Sequence, residues 1–107
     1  MILAVTLAMA AAASGFDATA DAFTGCLASS VRMGMTMRMK PDDFAVGFAK
    51  SCLSEQAAFR AESIKRGVEL GRTEAEATAE TDGNIANGRR IYAADQAKFY
   101  ATGEVPR

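Results

Sequence analysis

The two cysteines of this chain, Cys26 and Cys52, constrain its fold more than any other feature. They follow an apolar stretch, Ile2 to Ala13, that ends in small residues. This stretch has the length of a signal-peptide core. Ala8-Met9-Ala10, Ala11-Ala12-Ala13 or Ala13-Ser14-Gly15 meets a signal peptidase's need for small side chains. Residues 1–15 are therefore expected to be a cleaved signal peptide, even though no Lys or Arg precedes the apolar core. A membrane span needs about 20 apolar residues, and Asp17 and Asp21 interrupt the run too early, so no stable membrane insertion is expected after cleavage.

Export places the cysteines in an oxidising compartment, periplasmic or extracellular, where a Cys26–Cys52 disulfide is the expected state. A mature chain of about 90 residues buries only a modest fraction of its surface. The loop-entropy estimate gives the bond roughly 3–4 kcal/mol, comparable to the net stability of a small domain. One alternative is lipidation of Cys26, because Phe23-Thr24-Gly25-Cys26 places a small residue before a cysteine. The two aspartates separate that cysteine from the apolar stretch, and acylation would leave Cys52 without a partner.

Apolar residues recur at helical spacing, which predicts an all-α domain over residues 16–102 and a flexible tail over 103–107. The reading is an antiparallel up-down arrangement of three helices, or of four if the chain breaks near Gly83. The disulfide staples the first two. The first helix carries Phe16, Ala20, Phe23, Leu27 and Val31 on one stripe and ends near Arg32 to Gly34. The second opens at Pro41 with Asp42 and Asp43 in its first turn. It carries Phe44, Phe48, Cys52 and Phe59, with Ala57, Ala61, Ile64 and Val68 as a neighbouring row, and stops at Gly71. The third starts with the capping box Thr73 to Glu76 and runs to about Ala101. Its interior glycines, Gly83 and Gly88, each cost about 1 kcal/mol relative to Ala. In a hairpin of the first two helices, Cys26 and Cys52 fall at similar heights at a rise of about 1.5 Å per residue.

Net charge is −1 and the chain has no His. Charges of both signs are interspersed, so there is no basic footprint for nucleic acid, and the commonest general base and metal ligand is missing. No hydrolase elbow, P-loop or dinucleotide fingerprint occurs. The chain is read as not an enzyme and as needing no cofactor. Glu69, Glu74, Glu76, Glu80 and Asp82 lack the dense alternation of a calcium loop and suit a helix start and a solvated face. Tyr92 and Phe99 are expected in the core, with Tyr100 at the rim.

The unusual segment is Arg32 to Lys40, where Met33, Met35, Met37 and Met39 alternate with other residues. Methionine fills irregular gaps and forms adaptable contact surfaces. The expected function is thus a non-catalytic interaction or structural role in the bacterial envelope, with an envelope protein or a second copy of the chain as partner. The alternative is a periplasmic Cu(I)-binding loop, since thioethers are soft ligands that select Cu(I). In an extended strand all four sulfurs would share one side; in a helix they would split into two i,i+4 pairs.

Overall fold

The computed structural model describes residues 14–105. The expected signal peptide therefore lies almost wholly outside the described residues. The fold is all-helical, with no strand among the described residues: α1 spans Phe16–Thr36, α2 Pro41–Phe48, α3 Leu53–Glu69 and α4 Glu74–Thr102.

Helix α1 presents the predicted stripe. Phe23, Leu27 and Val31 are buried, and Met35 continues them by one turn. The helix does not stop at Gly34. It runs to Thr36 and ends in a Schellman motif, in which the Met39 amide donates to the Gly34 carbonyl and the Arg38 amide to that of Met35. The left-handed position in this motif falls on Arg38, at φ 50°. Gly34 serves packing instead: a Cβ on it would lie 2.5 Å from Phe44 Cδ1.

The expected second helix is two helices. Its apolar row is continuous in sequence, but the backbone breaks between Phe48 and Leu53, with Cys52 left-handed at φ 62° as the N-cap of α3. This break, and not one at Gly83, makes the helix count four. Arg89 of α4 secures it. Its guanidinium donates to the Phe48 and Ser51 carbonyls and to Gln56 Oε1, joining the end of α2 to the start of α3; the Phe48 carbonyl also accepts from the Ser51 amide and hydroxyl. It also lies over the rings of Phe23 and Phe48.

The break also separates the aromatic row. Phe44 and Phe48 stack on each other, with centroids 5.0 Å apart. Phe59, on α3, packs instead against Phe16 and Phe23 of α1. The predicted second row of α3 is corrected: Ala57, Ala61 and Val68 are exposed and Ile64 is half-buried. At the end of α3, Gly71 takes φ 102°, as its sequence position predicts. A Schellman pair, Arg72 amide to Gly67 carbonyl and Gly71 amide to Val68 carbonyl, closes the helix.

Helix α4 begins with the predicted capping box: Thr73 Oγ1 accepts from the Glu76 amide and Glu76 Oε1 from the Thr73 amide. It runs unbroken through Gly83 and Gly88. Ala77, Thr81 and Ile85 bury its first half, and Gln96 its second. Tyr92 and Phe99 pack against the core while Tyr100 is at the rim, as expected. Helix α4 thus touches each of the other three helices, and this shared packing outweighs the glycine cost.

Candidate functional site

The disulfide connects α1 to the start of α3. The Cys26 and Cys52 sulfurs lie at bonding distance, with Cα atoms 5.9 Å apart. The predicted pair is therefore present, but the geometry differs from the expected hairpin. Cys52 does not sit three turns inside a helix; it occupies the left-handed N-cap where α2 has already ended.

Beside this bond runs an apolar groove of about 260 Å³ between α1 and α2. Its walls include Cys26, Met33, Met37, Met39, Phe44 and Phe48. The four methionines separate because α1 extends through the segment. Met33 and Met37, one turn apart, are largely exposed on the groove side. Met35 points the other way into the core, beneath a second cleft formed with Val31, Arg32, Ile91, Tyr92 and Asp95. Met39 is half-buried in the connection after α1. Three of the four predicted residues thus share one wall and the fourth does not. Sequence spacing alone could have yielded this division, had the helix end been placed at Thr36.

Two polar side chains of α4 lie behind these walls, outside the groove lining. Gln96 is fully buried; its Nε2 donates to the Met39 carbonyl at 2.7 Å, which ties the methionine connection to α4. Its Oε1 has no partner among the described residues. Burial lowers the Arg89 pKa from its ordinary value, although a guanidinium so far above neutrality stays charged. Neither residue stood out in the sequence. Arg89 sits in a polar stretch next to Arg90, and Gln96 carries no charge or motif.

Three acidic residues of α4, Glu76, Glu80 and Asp82, are occupied structurally. Asp82 accepts from Arg60 Nε at 2.6 Å, and Glu80 pairs with Arg72 at 2.8 Å. Hydrogen bonding from Arg60 holds the Asp82 carboxyl below its usual range, and the Thr73 amide does the same for Glu76. Among the described residues, one group of three Cys, Asp or Glu side chains brings its donor atoms close enough for a common ion: Cys26, Cys52 and Glu55. No described helix is long and apolar enough to cross a membrane. No family model, curated protein or solved structure matches the chain.

Proposed function

We propose that this chain is an exported, non-catalytic interaction protein of the bacterial envelope, and that the groove between α1 and α2 receives apolar side chains of a partner protein. The observation that carries this reading is the exposure of Met33 and Met37, at 62% and 65%, on the wall of an apolar groove. Flexible, polarisable thioethers at an open surface suit a contact that must adapt to its partner. The disulfide and the Arg89 ties fix the groove's walls. This fixation lowers the ordering cost of binding.

The test is a photo-reactive residue at Met37, introduced into the full chain in its native host. A discrete adduct in the envelope fraction, lost when Met33 is replaced by Glu, supports the reading. An adduct of doubled mass identifies a second copy as the partner. Unchanged adducts in the Met33→Glu chain would remove the groove from the interaction.

A second reading uses the same wall. Met33, Met37 and Met39 lie on one groove, which favours a soft-metal site over a scattered set of thioethers. Anaerobic Cu(I) titration separates the two. A copper protein takes up stoichiometric Cu(I), loses it when those three methionines become Leu, and keeps it in Met35→Leu. An interaction protein takes up none.

A further inference from the structure

Glu55 stands three residues after Cys52, which is the N-cap of α3. A side chain at this third helical position leans back toward the cap residue, as in a capping box. Here the cap is a cysteine, and Thr73 and Glu76 show the hydrogen-bonded form of the same arrangement at the start of α4. The Glu55 carboxylate, Cys52 Sγ and Cys26 Sγ consequently lie within 4.8 Å of one another. Cys26 and Glu55 are each only half-buried, so an ion can reach them from solvent.

We propose that Cys26, Cys52 and Glu55 form a zinc site that the disulfide closes and reduction opens. Two thiolates and one carboxylate are a donor set for Zn²⁺, with water in the fourth position. In tetrahedral coordination two sulfurs at about 2.3 Å from the metal stand about 3.8 Å apart. Side-chain rotation spans that distance from Cα atoms held 5.9 Å apart. One further contact favours Cys52 as a ligand: Ser30 Oγ is 3.7 Å from its sulfur and can donate to it.

The chemistry balances with a dithiol as reductant. The dithiol delivers two electrons and two protons to the Cys26–Cys52 bond and leaves as a disulfide. Zn²⁺ then displaces the two thiol protons into solvent as the two S–Zn bonds form. Exchange with a disulfide oxidant reverses this: the two thiolates give up two electrons as the Cys26–Cys52 bond re-forms, the oxidant takes up two protons and leaves as a dithiol, and the ion is released. Cys26 also lines the methionine groove, but the assignment does not depend on what occupies that groove.

The test reduces the full chain with a small dithiol, removes the dithiol by anaerobic desalting, and titrates Co²⁺ and then Zn²⁺. The expected result is one Co²⁺ per chain with a thiolate-to-cobalt charge-transfer band, displaced by Zn²⁺, and no uptake by the oxidised chain. Glu55→Gln should weaken Zn²⁺ binding by about tenfold or more without altering the melting of the oxidised form. If the reduced chain loses helix, Zn²⁺ should restore it, because binding a site that exists only in the fold contributes folding free energy. Three outcomes overturn the proposal: no charge-transfer band in the reduced chain, failure of Zn²⁺ to restore lost helix, or equal Zn²⁺ affinity in Glu55→Gln.

Discussion

Gly34 of α1 and Phe44 of α2 occupy one space: a Cβ at residue 34 would meet the Phe44 ring at 2.5 and 2.7 Å. The ring is buried and stacked on Phe48, so it has little room to withdraw. Overpacking of this kind costs about 1–3 kcal/mol, more than the roughly 1 kcal/mol of helix propensity that Ala gains over Gly. Gly34→Ala is expected to lower the urea midpoint. A midpoint equal to that of the unaltered chain would show that Phe44 yields.

The opposite sign is expected at Gly83 and Gly88. Both sit inside α4 with helical backbone, and a Cβ at either position would touch nothing within 4 Å. Gly83→Ala and Gly88→Ala should each stabilise the fold by up to about 1 kcal/mol. Thermal melts of the two single variants and the double variant check both the sign and the additivity.

Arg89 spans three acceptors across the break between α2 and α3. Truncation to Ala leaves half-buried carbonyls without their charged donor, a loss of about 2–4 kcal/mol. Lys keeps the charge but lacks the fork that reaches Phe48, Ser51 and Gln56 together. Arg89→Lys should therefore recover little of the stability. Hydrogen exchange of the amides in α2 is expected to accelerate more than that of α4, since α2 loses its tether.

The disulfide holds a left-handed residue at the head of α3 and closes the loop over α2. Replacing both cysteines with Ser should lower stability by roughly 3–4 kcal/mol. The comparison is made between oxidised wild type and the double variant by chemical denaturation.

Acid should loosen the α3–α4 face. The folded-state pKa values of Asp82 and Glu76 lie below their ordinary ones. Their contribution is therefore complete above the unfolded carboxylate pKa of about 4, and it is lost as pH falls through the lower folded values. Melting temperature should decline below about pH 4, and Asp82→Asn should flatten that decline while lowering the neutral-pH value slightly. An unchanged acid limb in Asp82→Asn would show that the Arg60 pair contributes nothing measurable.

The sequence by itself determined the helical class, the stripe Phe23-Leu27-Val31, the capping box at Thr73, the left-handed Gly71 and the pairing of Cys26 with Cys52. Each follows from local chemistry: period, cap, turn residue, or the lack of any other partner. Tertiary structure decided three other matters. It broke the helix at residues 49–52, where no Pro forces a break, because Arg89 binds the Phe48 and Ser51 carbonyls and the bond to Cys26 holds the left-handed Cys52. It carried α1 past Gly34, because the small residue was needed for contact with Phe44 and not for a turn. It also kept α4 whole through two glycines, because one face of that helix is buried against three neighbours. In all three places the deciding partner lies on another helix, beyond the reach of the helix's own periodicity. The division of the methionines follows from the second: with α1 extended to Thr36, Met33 and Met37 line the groove and Met35 joins the core.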